Sequence, residues 1–198
     1  MTKIFVIGED ALCCALGQRL ISEVMGWQLA QPAVNTRGVS KLVSALPRYI
    51  NLARLHPVLC VADTDGKCAK RLRSEWLPKS VSNLFCLRLA VMEAESWVLA
   101  DPDALASFFK VPASRIPADP DNIVDPKRAV LNLAVRSKDR LVRNEVVSSS
   151  DGSRPGAGYN FHLEEFAGRY WDPLRAASRS ASLARAVRRI QELPNEIR

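Results

Sequence analysis

Short apolar runs alternate with helix-like patterns over the first 110 residues, and this alternation limits the available folds more than any other feature. Strand-like runs lie at 3–8, 27–34, 58–62 and 83–90. Segments with apolar residues at helical spacing follow them at 9–25, 39–54, 68–77 and 95–109. Strands joined by helices form right-handed crossovers, so the pattern predicts an α/β fold with a mostly parallel sheet flanked by helices.

Prolines interrupt the chain beyond residue 110, and no convincing strand follows there. These prolines are Pro112, Pro117, Pro120 and Pro126. Helical patterns return near 160–170 and 180–192, after a Gly- and Ser-containing tract at 148–158 that is typical of a flexible segment. We therefore predict an α/β core at 1–110 and a mainly helical extension at 111–198 packed on that core.

The composition indicates what partners and what cellular compartment to expect. The 198 residues carry 28 Lys and Arg against 21 Asp and Glu, a net charge of +7 that favours polyanions such as nucleic acid. A mildly basic protein can equally have no such partner. The five cysteines lack CxxC spacing, and no apolar run approaches the roughly 18 residues of a membrane helix. We expect a cytoplasmic protein with reduced thiols and no membrane partner.

Two acidic turns follow predicted strands. Glu9 ends the first strand, and Asp63-Thr64-Asp65-Gly66 ends the third. Ligands of parallel sheets bind at the carboxyl ends of strands, and the i, i+2 spacing lets Asp63 and Asp65 point to one side of an extended segment. If the two strands are neighbours, three carboxylates meet and repel unless a metal neutralises them, and Mg²⁺ or Mn²⁺ suits oxygen ligands. Alternatively, such residues merely cap the next helix, as Asp10 could.

Two further carboxylates, Glu93 and Glu95, follow the fourth strand. In a helix their side chains would point about 200° apart, whereas an extended approach lets them converge on one ion. We favour Glu95 as the first helical residue and the better ligand, with Glu93 as a further candidate. The alternative is a solvated helix start that the macrodipole favours.

Several segments resemble known families. The strand and turn from Ile4 to Glu9, the strand-borne Asp63 and Asp65, and the acidic site after the fourth strand resemble the Toprim domain of topoisomerase–primase proteins, and most of all that of OLD-type nucleases. A small bacterial family of Toprim-like proteins, largely without assigned function, is similar in VADTDGKCAKRL, RLAVMEAESWVLADPDAL, GYNFHLEEF and WDPLRAASRSASLARAVRRI. This resemblance covers almost the whole chain and implies a Toprim-like Rossmannoid fold.

The resemblance implies metal-dependent cleavage or strand transfer at phosphodiester bonds. Glu9 would act as ligand or general acid/base, and Asp63 and Asp65 would act as ligands. Glu95 matches the later acidic position of OLD-type sites. Two ions would activate water and stabilise the leaving oxygen. For stabilising charge in the transition state we select Lys127 of the DPKRA segment, whose alternative is a solvated lysine at a helix start.

The resemblance also suggests partners. Nucleic acid is the expected substrate, with DNA favoured over RNA, and a homo-oligomer is a further candidate assembly. OLD-type nucleases work with an ATPase, and the sequence has no GxxxxGK[ST] phosphate loop. A separate ATPase subunit, in a phage-defence role, is therefore a hypothesis by analogy.

Two other functions remain open at this point. An apolar strand followed by Asp63-Thr64-Asp65-Gly66 resembles the nucleophile turn of haloacid-dehalogenase-like phosphohydrolases, although that turn normally ends the first strand. The other alternative is a non-catalytic module that pairs with an ATPase and holds nucleic acid on basic helices. Arg185, Arg188 and Arg189 would form its basic face, near Arg175 and Arg179.

Overall fold

A computed structural model describes residues 2–194, and its centre is a five-stranded sheet. The strands are β1 (Lys3–Gly8), β2 (Gln28–Leu29), β3 (Val34–Asn35), β4 (Val58–Asp63) and β5 (Phe85–Ala90). Their order is β2-β1-β4-β5, with β3 pairing β1 on the same side as β2, and all these pairings are parallel. The predicted α/β fold with a mostly parallel sheet is confirmed.

Ten α-helices connect and cover these strands within residues 2–194. They are α1 (Ala11–Met25), α2 (Val39–Leu52), α3 (Ala69–Trp76), α4 (Glu95–Leu99), α5 (Pro102–Phe109), α6 (Pro126–Val135), α7 (Arg140–Val146), α8 (Tyr159–Arg169), α9 (Pro173–Ala177) and α10 (Ala181–Gln191). Helix α1 begins immediately after β1, because the Asp10 side chain accepts a hydrogen bond from the Cys13 amide. It ends at Gly26, which takes the left-handed conformation that glycine tolerates.

Helices cover both faces of the sheet, as buried parallel strands require. On one face, Val6 and Val61 belong to the hydrophobic cluster that includes α1, α4 and the C-terminal helices. On the other, Ile7 and Cys60 pack with residues of α2, and Trp76 of α3 borders that second cluster. Alternate residues of β1 and β4 therefore enter different layers of the core.

Between residues 111 and 194 the chain is mainly helical and packs on the α/β part. Helices α8, α9 and α10 contact α1, and α10 also contacts β5. The indole nitrogen of Trp171 donates to the Trp97 carbonyl at 2.9 Å, and that of Trp97 donates to Ser182 Oγ at 2.8 Å. One cluster of buried residues thus runs through both parts of the chain.

Three local expectations differ from the structure. The predicted strand at 27–34 is two short strands, because Pro32 lies in the break and has no amide hydrogen for the ladder. The predicted helix at 95–109 is divided into α4 and α5, since Asp101 precedes Pro102 and leaves the helical region. The tract at 148–158 is closed by an antiparallel bridge between Val147 and Pro155.

The described residues also bear on two expectations drawn from the composition, which concern membrane-spanning helices and the cysteines. No helix formed within residues 2–194 has the length and apolar character needed to cross a membrane. All five cysteines are free, and all but Cys68 are buried.

Candidate functional site

The first and third predicted strands are neighbours, and their acidic ends meet at the carboxyl edge of the sheet. Gly8 of β1 pairs with Val61 of β4, and the Glu9 amide donates to the Val61 carbonyl at 3.0 Å. The Glu9 side chain then turns towards β4, where its Oε2 accepts a hydrogen bond from the Asp63 amide at 3.1 Å. The strand adjacency on which the predicted acidic site depends is present.

The Asp63 carboxyl is largely buried at the end of β4, the strand between β1 and β5. Its Oδ1 lies 3.8 Å from the Cys13 thiol of α1. Burial raises the pKa of Asp63 to about 9, and the nearby carboxylates of Glu95, Asp10, Glu9 and Asp65 add to that increase. The position therefore favours either a proton on Asp63 or a cation beside it.

The turn after Asp63 is fixed to the end of β5. The Thr64 hydroxyl accepts a hydrogen bond from the Met92 amide at 2.8 Å, and the Asp65 amide donates to the Met92 carbonyl at 2.9 Å. Asp65 and Met92 have φ values of 48° and 61°, a left-handed conformation that is uncommon outside glycine. The two turns hold each other in this strained form, which keeps exposed Asp65 beside the strand ends.

Glu95 is the first residue of α4, as predicted, and only 3% of its surface is exposed. The Tyr159 hydroxyl donates to its Oε1 at 2.8 Å, and Lys127 Nζ lies 3.6 Å from the same oxygen. Burial raises the pKa of Glu95, and Lys127 and Tyr159 offset only part of that effect. The Glu95 carboxyl is thus held in a fixed position between the α/β part and the helical extension.

Glu93 and Lys127 form the outer side of the cluster. Glu93 Oε2 accepts a hydrogen bond from the Lys127 amide at 2.9 Å, and its Oε1 lies 3.6 Å from Lys127 Nζ. Burial alone would lower the pKa of Lys127, but Glu95 and Glu93 outweigh burial and the pKa lies above its ordinary value. The Lys127 ammonium therefore stays charged beside both glutamates, instead of extending freely into solvent.

Sequence reasoning missed two members of this environment, Tyr159 and Cys13. Tyr159 lies 64 residues from Glu95 along the chain, and its local sequence gave no signal of the hydrogen bond. Cys13 had a readable signal, because it lies in the first turn of the helix that follows the Glu9 turn. That position directs its thiol towards the neighbouring strand end.

The donor set fits a hard divalent ion, although the carboxylates do not form a closed coordination sphere. Within residues 2–194, no three His, Cys, Asp or Glu side chains converge closely enough to hold a metal ion as they stand. Electrostatic interactions act over longer distances than the roughly 2.0–2.6 Å of Mg²⁺ and Ca²⁺ coordination, which explains how these carboxylates interact without converging. Coordination would require side chains such as Asp65 to rotate towards Asp63.

The fold and site define a Rossmannoid α/β protein with an acidic site at the carboxyl edge of its sheet. Comparison with known proteins adds no family to that description, since no protein-family model, curated protein or solved structure matches the chain. The Toprim likeness therefore rests on the sequence motifs alone.

Proposed function

We propose that the protein is a metal-dependent nuclease, or a nuclease subunit, that cleaves phosphodiester bonds in nucleic acid. Mg²⁺ or Mn²⁺ would bind at Glu9, Asp63, Asp65 and Glu95, with Glu93 beside them. One observation carries the proposal: the carboxyl group of Asp63 is buried at the end of β4 with the other carboxylates around it. The Toprim-like motifs support the choice of phosphodiester chemistry.

Electrostatics gives the reason for a cation at this position. Glu9 shares the pattern of Asp63, because burial raises its pKa, the Asp63 amide opposes the increase, and Asp65 and Asp10 add to it. A divalent ion would stabilise the ionised form of these carboxyls against the effect of burial. Lys127 meets that need only in part, since its ammonium contacts Glu93 and Glu95 and acts on Asp63 from a longer distance.

Each side chain has a definite task in this proposal. Asp63 and Asp65 would be the principal ligands on β4 and its turn, and Glu9 would be a ligand or a general acid/base. The hydrogen bond from the Asp63 amide orients the Glu9 carboxylate towards β4. Tyr159 would position Glu95, and Lys127 would stabilise negative charge on the reacting phosphate. The bound ion would supply an activated water and stabilise the leaving oxygen.

The proposed partners follow from charge and motif likeness. The net charge of +7 supports a polyanionic substrate, for which we propose DNA before RNA. A separate ATPase subunit and a role in phage defence are proposed by analogy with OLD-type nucleases. A homo-oligomer stays a prediction from the sequence.

Cleavage of plasmid and single-stranded DNA, with and without Mn²⁺, tests this function. We expect Mn²⁺-dependent cleavage that falls about 100-fold or more in Asp63→Asn and in Glu9→Gln. Asp103→Asn is the matched control, because it removes an exposed carboxylate on α5, and it should cleave like the wild type.

Cleavage that survives both site substitutions would contradict the proposed site. Turnover of a generic phosphomonoester that depends on Asp63 but not on Glu9 would instead favour a haloacid-dehalogenase-like phosphohydrolase. DNA binding without cleavage, unaffected by either substitution, would favour a non-catalytic module.

A further inference from the structure

A basic groove lies along β5, beside the acidic site but separate from it. Its cavity of about 240 Å³ is lined by cationic residues from three elements. They are Lys70 and Arg73 of α3, Arg88 of β5 and Arg185 of α10. We call this feature the β5 groove. No acidic side chain lines its cavity among residues 2–194.

The four cationic side chains are only weakly compensated by acidic side chains in the described part of the chain, where Glu192 acts electrostatically on Arg88. None of these four side chains forms an ion pair within residues 2–194. By contrast, Arg71 on the same α3 helix pairs with Glu75 at 2.7 Å. Within residues 2–194, the half-buried Arg88 guanidinium donates only to backbone carbonyls, those of Leu87 and Arg185. Four cations without ion pairs in one groove favour an anionic ligand.

The position of Arg88 in the β5 groove is electrostatically unfavourable. Its side chain is partly withdrawn from water, and burial lowers its pKa from the ordinary value. Cys86 and Glu192 oppose this decrease in pKa, whereas the guanidinium groups of Arg73 and Arg189 add to it. A phosphate group between these side chains would relieve the repulsion and accept hydrogen bonds from the guanidinium groups.

The shape of the basic surface fits an extended ligand. A second cavity adjoins the first along α3, shares Lys70 and Arg73 with it, and adds Lys79. The two cavities therefore form one stripe in which cationic groups recur. A single phosphate would occupy part of that stripe, whereas a polyanion with a repeated phosphate could use all of it.

The apolar wall of the groove narrows the ligand to a single strand. Leu89 and Val91, which are partly exposed, line the cavity together with the buried Leu87. Sugars and unpaired bases can contact such a wall, whereas a duplex keeps its bases inside. No aromatic side chain lines either cavity within residues 2–194, so base stacking contributes little and charge dominates.

The β5 groove leads to the acidic site. Val91 lines the groove, and Glu93 follows two residues later at the outer side of the carboxylate cluster. Between them, Met92 is hydrogen-bonded to Thr64 and Asp65 of the turn after β4. A chain lying along β5 towards its carboxyl end would therefore arrive at Asp65 and Glu93.

We propose that the β5 groove binds the sugar–phosphate backbone of single-stranded nucleic acid and directs it into the acidic site. This inference deepens the proposed function and rests on it, because nucleic acid is the substrate class proposed there. Binding and cleavage nevertheless use different residues, so each can be measured without the other.

The test is fluorescence anisotropy with the full chain in EDTA, which prevents metal-dependent cleavage. The probe is a fluorescein-labelled oligothymidylate about 20 nucleotides long, enough to exceed the usual site size of one binding fold. The groove variant is Arg73→Gln/Arg185→Gln, whose side chains are exposed and can change without loss of packing. The control is Arg48→Gln/Arg140→Gln, which makes the same charge change at exposed positions on α2 and α7.

We expect the groove variant to bind roughly tenfold or more weakly at about 0.1 M salt, with the slope of log K against log salt reduced by about 1 to 2. The control should stay within about twofold of the wild type. Equal weakening of both variants, or wild-type affinity in the groove variant, would overturn the inference. Duplex competing as well as single strand, or no salt-sensitive binding by the wild type, would also overturn it.

Cleavage in Mn²⁺ separates this inference from the proposed function. If Asp63→Asn abolishes cleavage while the groove variant binds and cleaves like the wild type, the nuclease assignment stands and the groove assignment is wrong. If the groove variant loses binding but no cleavage depends on Asp63, the groove is a binding site and the nuclease assignment is wrong.

Discussion

The buried carboxyl of Asp63 opposes folding whenever it is ionised without a cation beside it. Its pKa is about 9 in the folded chain, whereas an unfolded aspartate has a pKa near 4. Between these two values the folded state binds more protons than the unfolded state does. The free energy of unfolding of the metal-free protein should therefore fall as the pH rises from about 4 to about 9. The raised pKa values of Glu9 and Glu95 act in the same direction.

Replacement of this carboxyl by an amide should remove most of that pH dependence. We expect Asp63→Asn, in EDTA at about pH 8, to melt several degrees above the wild type, since 1 kcal/mol corresponds to about 2–4 °C in a chain of this size. The difference should shrink towards pH 5, because uptake of a proton by Asp63 on folding costs less free energy as the pH approaches its unfolded pKa near 4. Melting temperatures measured across this range check the prediction, with Asp103→Asn following the wild type. Parallel profiles for Asp63→Asn and the wild type would show that Asp63 is not the responsible group.

The sequence predicts the carboxylates at the strand ends, but it does not predict which residues contact them. Glu9 follows β1 directly, Asp63 ends β4, and Glu95 begins the helix after β5, so the parallel topology brings them to one edge. Tyr159 and Lys127 reach Glu95 only because distant helices pack there, and no local pattern specifies that packing. We selected Lys127 for its charge, and its contact with both Glu93 and Glu95 is a property of the folded chain.

At the scale of elements, the approach of α1 to the sheet depends on a glycine. A Cβ atom at Gly17 would lie 2.8 Å from Val6 Cγ1 and 3.2 Å from Val61 Cγ2. The helix can therefore pack closely on β1 and β4 only where this position has no side chain. This closeness also sets the position of Cys13 against Asp63.

Gly17→Ala should lower the free energy of unfolding by about 1–3 kcal/mol, because the added methyl group overpacks the contact with the sheet. Gly168→Ala is the matched control within α8, since nothing lies within 4 Å of the added Cβ. That control should gain about 0.5–1 kcal/mol from higher helix propensity. Urea denaturation of both variants measures the two signs. A neutral or stabilising Gly17→Ala would contradict the close packing of α1.

The order of strands and helices was readable from apolar patterning, whereas their interruptions were harder to place. Pro32 and Pro102 were visible in the sequence, but the apolar residues around them continue the same pattern and favoured one long element. Proline removes an amide hydrogen and restricts the residue before it, and in both places this local effect outweighs the pattern.

At the scale of the whole molecule, an ion pair with a buried carboxylate joins the helical extension to the α/β part. Arg175 of α9 makes two hydrogen bonds of 2.6 Å to Asp101, whose surface is fully buried. The Asp172 amide donates to the same carboxylate at 2.9 Å. The side chain of Arg175 is 44% exposed, so it could be solvated if Asp101 were removed. Removal of Arg175 alone therefore leaves a buried charge without a partner, whereas removal of Asp101 alone does not.

Arg175→Met should cost about 3 kcal/mol of unfolding free energy, because it leaves a buried carboxylate without its cation. Asp101→Asn combined with Arg175→Met should cost less than Arg175→Met alone, since no charge then stays buried. Arg71→Met removes an exposed pair and should leave the unfolding free energy close to that of the wild type. Urea titration should also show one cooperative transition, because one hydrophobic cluster includes both parts. Two separate transitions would show that the two parts unfold independently. A double variant with a lower unfolding free energy than Arg175→Met would contradict the proposed cost of the unpaired carboxylate.

The docking of the extension was the part of the fold least accessible to sequence reasoning. Its helices near 160–170 and 180–192 were predictable from their apolar spacing, and α8 and α10 confirm them. The contacts of Trp171 with Trp97 and of Arg175 with Asp101 join residues 74 apart in sequence. Such pairings depend on the assembled core, and local propensity carries no information about them.

The central claim is that the carboxylates at the sheet edge bind a divalent metal, and calorimetric titration of the metal-free full chain with Mn²⁺ tests it most directly. We expect saturable binding accompanied by proton release, so the heat should change with the ionisation enthalpy of the buffer. Asp63→Asn should abolish both the binding and the proton release, while Asp103→Asn should bind as the wild type does. Wild-type affinity in Asp63→Asn, or no saturable binding by the wild type, would contradict the claim.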